Sequence, residues 1–199
     1  LDSQPRTATG EFWHKQIYPH QVWLDGLYMA LPFYARYTSS FSPKAERDSL
    51  YRDIVHQFAA AAENTFDPVT GLFRHAWDES RSMFWADPVT GQSAHAWGRA
   101  NGWYAVALVE VLDIMPKNTP GRDMLAEQLE YLLTAVERYS DPRTGMWYQV
   151  LDCPGREGNY LESTASAMFV YAALKGARMR CLGPQWRDKA MDLYRRLID

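Results

Sequence analysis

Six segments of this chain have the pattern of helices, and they alternate strictly between apolar and amphipathic ones. The apolar segments are residues 20–37, 99–116 and 161–175, and the amphipathic ones are residues 42–64, 120–139 and 184–198. A helix that is apolar all round belongs in the interior of an assembly, whereas each helix of a simple bundle keeps one polar face. The alternation therefore predicts an all-α fold with an inner ring of buried helices and an outer ring that covers them. This is an α/α toroid, of which about three inner/outer helix pairs are present.

A short repeat indicates one supersecondary unit that is used more than once. The pentapeptide Asp-Pro-Val-Thr-Gly occupies residues 67–71 and 87–91, and Asp-Pro-Arg-Thr-Gly occupies residues 141–145. In such a turn the proline fixes φ and the glycine supplies a positive φ. The repetition is weak, but it fits helical hairpins joined by loops that contain little strand.

Composition and charge exclude several classes of function. The 199-residue chain can bury one sizeable core, and we expect a single domain over residues 1–199. A net charge of -3 without a run of Lys or Arg argues against a nucleic-acid partner. No apolar run reaches the ~20 residues of a membrane helix. With no membrane segment and no signal-peptide pattern, we expect the chain to be cytoplasmic.

Neither a disulfide framework nor a metal site is expected. The chain has 2 cysteines, Cys153 and Cys181, which we interpret as plain thiols. His75 and His95 lack a cysteine near them in the sequence and a His-x-x-x-His spacing, so zinc is not expected. The sequence thus predicts no metal and no cofactor.

Asp25 is the residue of the first apolar segment that needs an explanation. It stands among Trp23, Tyr28 and Phe33, and an aspartate is almost never fully buried unless it is paired. One interpretation is structural, with Asp25 capping a helix or pairing with an arginine. The other is catalytic, with a carboxylic acid that its desolvated surroundings keep protonated. The residues alone leave both interpretations open.

Polar and aromatic side chains cluster where the apolar segments begin. In a toroid the inner helices run parallel, so their first residues and the preceding loops gather at one mouth. Arg99 can bind a carboxylate there with two hydrogen bonds, although an ion pair with Asp25 is the structural alternative. Aromatic faces suit a sugar, and an arginine suits an acidic one. The side chains that we expect to gather at this mouth are His14, His20, Trp23, Asp25, His75, His95, Trp97, Arg99, Asn101, Trp103, Arg156, Glu157, Tyr160, Glu162 and Ser163.

Two long motifs resemble a known family. They are FWHKQIYPHQVWLDGLYMALPFYARY at residues 12–37 and HAWGRANGWYAVALVEVLDIMP at residues 95–116. Both resemble the unsaturated rhamnogalacturonyl hydrolases of glycoside hydrolase family 105 and, more distantly, the unsaturated glucuronyl hydrolases of family 88. The resemblance extends from Phe12 to about Gly176. It implies an α6/α6 barrel with a general acid at Asp25. It also implies that the substrate-binding residues are Trp23, His75, Trp97, Arg99 and Trp103.

The resemblance also implies a reaction. The family acts on oligosaccharides left by polysaccharide lyases, which end in a 4,5-unsaturated uronic acid. A carboxylic acid protonates C4, water adds at C5, and the hemiketal that results opens and expels the remaining sugar. This differs from ordinary glycoside hydrolysis by a carboxylate pair and needs no cofactor. The expected partner is therefore an acidic unsaturated oligosaccharide of the rhamnogalacturonan type, which comes from pectin.

The chain departs from the family's full barrel in two ways. It supplies about half of the helices, and the family's second acidic residue lies N-terminal to the matched region. The flanks of an incomplete ring would expose a large apolar surface, so we expect self-association. Two alternatives stay open. One is a non-catalytic carbohydrate-binding or inactive partial copy of the fold. The other is a different toroid sugar enzyme, an epimerase or an inverting hydrolase, which needs two carboxylates or a pair of histidines in the pocket. Glu162 or Asp87 facing Asp25 would favour the inverting hydrolase.

Overall fold

The computed structural model describes residues 3–198, and helices dominate them. The two strands are short: β1 (Gln21–Trp23) pairs antiparallel with β2 (Ala76–Asp78), with Val22 opposite Trp77. The helices are α1 (Leu24–Phe41), α2 (Lys44–Thr65), α3 (Gly98–Ile114), α4 (Arg122–Glu137), α5 (Ser163–Met179) and α6 (Trp186–Ile198). The expected helix-rich fold with little strand is confirmed.

The helices form two layers, and α3 is the central member of the inner layer. It packs against α1 on one side and α5 on the other, while α2, α4 and α6 pack on α1, α3 and α5 respectively. Most of α3 is buried, including Tyr104, Leu108 and Leu112. Among the described residues of α6, by contrast, Trp186 and Ala190 are the buried ones. The apolar segments of the sequence are thus the inner helices, and the amphipathic segments are the outer ones.

The first inner helix begins later than the sequence predicts. The pattern indicates a helix over residues 20–37, whereas α1 begins at Leu24 because Gln21–Trp23 forms β1. His20 has a φ of 63°, a left-handed conformation that is incompatible with a continuing α-helix. Asp25 consequently lies in the first turn of α1.

The three Asp-Pro-x-Thr-Gly segments fold into the same turn, as predicted. In each of them the glycine N–H donates to the carbonyl of the aspartate at 2.7–2.8 Å. In each of them the aspartate Oδ1 also accepts the N–H of the residue two positions further on. Gly71, Gly91 and Gly145 have φ values of 74°, 79° and 71°. The sequence repeat is therefore a repeated structural unit.

One side of α1 is apolar and exposed. Met29, Phe33, Tyr37 and Phe41 recur every four residues, and their exposed fractions are 60%, 63%, 50% and 74%. The expectation that this helix is buried all round is wrong on this side. The exposed flank of an inner helix is the feature expected of an incomplete ring. The closed barrel stays a prediction, as does the assignment of residues 1–199 to one domain.

Two simpler expectations can be compared with the structure. Within residues 3–198, no helix combines the length and the apolarity that are needed to cross a lipid bilayer. Cys153 and Cys181 are free thiols, as predicted. Cys181 donates a hydrogen bond to the carbonyl of Gly176 at 3.4 Å, and Cys153 lies beside His95.

Replacing Gly91 tests whether the repeated turn requires glycine at its last position. A Cβ at this position would lie 2.4 Å from the carbonyl oxygen of Asp78, and the φ of +79° strains any other L-residue. We predict that Gly91→Ala lowers the free energy of unfolding by about 1–3 kcal/mol. Gly155→Ala is the control, since a Cβ at Gly155 meets nothing within 4 Å. Urea denaturation followed by circular dichroism measures both variants, and equal stabilities would contradict this account of the turn.

Candidate active site

Backbone hydrogen bonds hold the loops that precede the inner helices together. The N–H of Leu24, at the start of α1, donates to the carbonyl of His75 at 3.1 Å, and the N–H of His75 donates to the carbonyl of His95 at 3.4 Å. The N–H of Gly98, the first residue of α3, donates at 2.7 Å to Gln149, which precedes α5. The starts of the inner helices therefore converge, as the sequence predicts for the mouth of a toroid.

Asn101 fastens two of these segments from the inside. Its amide is fully buried, and Nδ2 donates to the carbonyl of Phe73 at 2.9 Å and to that of Trp97 at 3.1 Å. Its Oδ1 accepts the N–H of Phe73 at 3.4 Å. A buried amide whose hydrogen bonds are made to two segments stabilises both of them in place. Asn101 thus positions Trp97 directly and His75 through the short segment that follows Phe73.

Asp25 faces His75 at this mouth. The distance from Asp25 Oδ1 to His75 Nε2 is 3.3 Å, and the two side chains are 20% and 26% exposed. Both of these atoms are enclosed, and neither makes a hydrogen bond of good geometry within the described residues. The carboxyl group and the imidazole therefore have unused hydrogen-bonding capacity, which a bound ligand can take up.

A row of aromatic contacts leads from β1 to Arg99. The ring centroids of Trp23 and His75 are 5.2 Å apart in an edge-on arrangement, and those of His75 and Trp97 are 4.9 Å apart. The guanidinium of Arg99 lies over the Trp97 ring, 4.6 Å from its centroid, which is a favourable cation–π distance. Because His75 also contacts Asp25, these predicted site residues form one continuous surface.

Trp103 reaches the same surface through Tyr28. The two rings stack with centroids 4.5 Å apart and planes 29° apart. Tyr28 follows Asp25 by three residues on α1, so the two side chains share a face of that helix. The predicted site residues are thus all brought to the region where α1 and α3 begin. Their roles stay predictions.

The carboxylate beside Arg99 belongs to Glu162. Arg99 Nη1 lies 3.7 Å from Glu162 Oε1, and the Glu162 side chain is 7% exposed. Glu162 also caps α5, because its oxygens accept the N–H of Thr164 at 3.2 Å and that of Ala165 at 2.6 Å. Among the described residues, the ion pair of Arg99 is therefore with Glu162 and not with Asp25. The alternative in which Arg99 forms an ion pair with Asp25 is wrong.

Asp87, the other carboxylate considered as a partner for Asp25, serves its own turn. Its Oδ1 accepts the N–H of Thr90 at 2.7 Å and that of Val89 at 2.9 Å. These hydrogen bonds, that of Thr90 first, lower the pKa of Asp87. Both Asp87 and Glu162 are thus occupied by backbone N–H groups.

His14 lies at the mouth, as predicted, although it is not among the predicted substrate-binding residues. Its ring stacks on Trp23, with centroids 4.4 Å apart and planes 9° apart. A Cβ on Gly26 would lie 3.0 Å from His14 Nδ1, so the glycine that follows Asp25 allows this close approach. Burial lowers the pKa of His14 to about 4, while the charge of Asp25 acts in the opposite direction. A neutral imidazole therefore lies beside the carboxyl group at neutral pH.

Comparison with known proteins identifies the family. The sequence profile of Glycosyl Hydrolase Family 88 matches residues 1–199. The chain belongs to this family. A solved structure of a C. acetobutylicum ATCC 824 glycoside hydrolase from family 105 is 46% identical in sequence to this chain, with a TM-score of 0.94. The match covers 99% of this chain and 54% of that one. The resemblance carried by the two motifs is confirmed.

Two curated relatives of this family 88 chain differ in length. The unsaturated rhamnogalacturonyl hydrolase YesR of Bacillus subtilis (strain 168) is 30% identical over 189 residues, which make up 90% of this chain and 49% of YesR. A 24.9 kDa protein in the picA locus of Rhizobium radiobacter is 38% identical over 170 residues, or 85% of this chain and 70% of the relative. The chain thus spans about half the length of YesR and of the solved family 105 structure.

The burial of His14 can be measured. We predict that His14 titrates with a pKa of about 4 in the folded chain, because burial disfavours its charged form. In the urea-unfolded chain this burial is lost, so the pKa returns to the ordinary value of 6.5. NMR titration of the histidine rings measures both states, and a pKa near 6.5 for His14 in the folded chain would contradict this geometry.

Proposed function

We propose that this chain carries the catalytic centre of a hydrolase that releases the terminal 4,5-unsaturated uronic acid from lyase-generated oligosaccharides. The observation that carries the proposal is Asp25, a carboxyl group with unused hydrogen-bonding capacity beside His75 at an aromatic mouth. Ordinary glycoside hydrolysis uses two carboxyl groups that flank the scissile bond. Glu162 and Asp87 are instead bonded to backbone N–H groups, so the arrangement favours chemistry with one acid.

The surroundings of Asp25 fit an acidic sugar. The Arg99 side chain is 37% exposed, with Trp97 under its guanidinium and Glu162 at one edge. The remaining N–H groups can bind the carboxylate of a uronic acid with two hydrogen bonds. Trp23, Trp97 and Trp103 supply the apolar faces on which a sugar ring packs. The proposed partner is therefore an acidic unsaturated oligosaccharide, while the cytoplasmic location stays a prediction.

One relative supports a narrower class of substrate. YesR is named an unsaturated rhamnogalacturonyl hydrolase and is 30% identical to this chain. We propose that the oligosaccharide is of the rhamnogalacturonan type, with rhamnose next to the unsaturated uronic acid. This would place the chain in the breakdown of pectin after a lyase has acted.

In the proposed reaction Asp25 acts as a general acid. It donates its proton to C4 of the double bond, and the positive charge that develops at C5 is shared with the ring oxygen. Water adds at C5 and returns a proton to Asp25. The resulting hemiketal opens, and the remaining oligosaccharide leaves with a free hydroxyl group. One water is consumed in each turnover, and the contact with His75 orients the carboxyl group throughout.

Carbohydrate binding without turnover is the second candidate function. It is favoured by the fact that the chain spans 49% of the length of YesR. An inverting hydrolase has less support, because it needs a second carboxylate that acts with Asp25, and both Glu162 and Asp87 are bonded to backbone N–H groups. An epimerase that uses a pair of histidines is a third candidate, since His75 and His14 both lie near Asp25.

Replacing Asp25 tests the proposed function directly. We predict that Asp25→Asn folds normally and lowers kcat by about 10²–10⁴-fold, because the amide cannot supply the proton. The assay is the loss of ultraviolet absorbance of an unsaturated uronyl–rhamnose disaccharide. Asp123→Asn, also an aspartate in the first turn of a helix, is the matched control and keeps the full rate.

Each result of this assay discriminates between the candidates. Undiminished turnover by Asp25→Asn would exclude Asp25 as the general acid. If the unaltered chain binds the disaccharide in calorimetry and never turns it over, the binding function is correct and the hydrolase is not.

We also propose that two copies of the chain pair through the exposed side of α1. Met29, Phe33 and Tyr37 form the apolar stripe, and a cavity of about 300 Å³ lies between this side of α1 and residues 12–15. The chain spans 54% of the family 105 structure, so a second copy supplies a comparable set of helices.

Light scattering after gel filtration tests the pairing. We predict twice the chain mass of 22.9 kDa for the unaltered protein and a single chain for Phe33→Lys, because a charge on the stripe opposes its burial. Phe84→Lys is the control, since Phe84 is 95% exposed and lies in the segment between β2 and α3, not on α1, and it leaves the dimer intact. A monomeric unaltered chain would refute the proposal.

A further inference from the structure

A second group of polar side chains lies outside the proposed catalytic site. His95 Nδ1 is 3.1 Å from Asp152 Oδ2 and 3.5 Å from Cys153 Sγ, and one donor atom from each of the three residues lies within 4.8 Å of the others. His95 precedes α3, whereas Asp152 and Cys153 precede α5. No spacing motif could reveal this group, because the fold unites positions that are 57 and 58 residues apart.

The geometry argues against a nucleophile relay. In a Cys-His-Asp relay the thiol and the carboxylate use different nitrogens of the imidazole. Here the Cys153 thiol and the Asp152 carboxylate approach the same nitrogen, His95 Nδ1. Three donor atoms that lie within 4.8 Å of one another are instead what a bound cation requires. The ligands of a tetrahedral zinc ion are ~3.3–3.7 Å apart, and His95 Nδ1 is separated from the other two donors by 3.1 and 3.5 Å.

The backbone holds the three donors in place. The N–H of Leu151 donates to the carbonyl of Ala96 at 2.9 Å, and the N–H of Ala96 donates to Asp152 Oδ1 at 3.1 Å. Asn159 Nδ2 donates to the carbonyl of Cys153 at 2.7 Å. The first two of these hydrogen bonds join the two segments, and the third fixes the loop that carries Cys153, so binding would order little additional chain.

The charges nearby can accommodate a dication. Arg74 Nη2 lies 2.6 Å from Asp67 Oδ2, while Arg74 Nη1 lies 3.4 Å from Asp152 Oδ2 and also donates to the carbonyl of Ala94. The charge of this arginine is thus matched by Asp67. A divalent ion would be neutralised by the Asp152 carboxylate together with the Cys153 thiolate. The His95 side chain is 43% exposed, so water can reach the position opposite the protein ligands.

We propose that His95, Asp152 and Cys153 bind a divalent transition-metal ion of the zinc class. One nitrogen, one oxygen and one sulfur donor select such an ion over Mg²⁺ or Ca²⁺, which prefer oxygen ligands. The ion would clamp the loop before α3 to the loop before α5. The carbonyl of His95 accepts the N–H of His75, so this clamp would adjoin the mouth without supplying a group to the reaction.

Titration of the chelator-treated, unliganded chain with Zn²⁺ tests the site without any activity assay. We expect one ion per chain, with affinity lowered by about 10-fold or more in Cys153→Ser. Cys181→Ser is the matched control, because the Cys181 thiol is bonded to the Gly176 carbonyl, and it leaves the affinity unchanged. In the same chain, Co²⁺ should show a thiolate charge-transfer band that Cys153→Ser abolishes.

A second variant covers the case in which Cys153→Ser fails to fold. His95→Gln removes a ligand from a side chain that is 43% exposed, and it should weaken Zn²⁺ binding to a similar extent while the far-UV circular dichroism stays unchanged. No bound ion in the unaltered chain would overturn the proposal. Equal affinity in the unaltered chain and in a folded Cys153→Ser or His95→Gln would overturn it as well.

Discussion

The hydrogen bonds that join the loops before α1, α3 and α5 are the interactions on which the rest of the site depends. Each contributes only ~1 kcal/mol to stability, but together they decide where several side chains lie. The carbonyl of His75 accepts from the first residue of α1, its N–H reaches the loop before α3, and Asn101 ties that loop to Phe73. The site is thus built on the ends of packed helices, which position side chains more precisely than free loops do.

The inner and outer helix layers could be predicted from the sequence, because burial imposes a helical period on the apolar residues. The sequence also predicted that Asp25 lies in one region with Trp23, Trp97 and Arg99, which stand in two continuous motifs, and with His75, which lies between those motifs. The first residue of α1 could not be predicted from the sequence, since β1 forms only when the distant Ala76–Asp78 segment is in place. The role of His14 was missed for a similar reason. Its stacking on Trp23 depends on a contact that the adjoining Gly26 permits.

The exposed side of α1 links the architecture to the function. An inner helix of a closed ring has neighbours on both flanks, whereas α1 has α3 on one side and an exposed apolar stripe on the other. The chain also spans about half of the family 105 structure that it matches with a TM-score of 0.94. A second copy on this stripe would cover the apolar surface. Met29, at one end of the stripe, lines the same cavity as His14 and Trp23, so the proposed partner would lie next to the candidate site.

The central claim is that the reaction proceeds by protonation of a carbon–carbon double bond and not of the glycosidic oxygen. The most direct test compares two disaccharides that are identical except for the 4,5 double bond, using the purified chain and chromatographic detection of released rhamnose. The account predicts that the unsaturated disaccharide is cleaved and that its saturated counterpart is not. Cleavage of both at similar rates would contradict it, because a hydrolase that protonates the glycosidic oxygen has no need of the double bond.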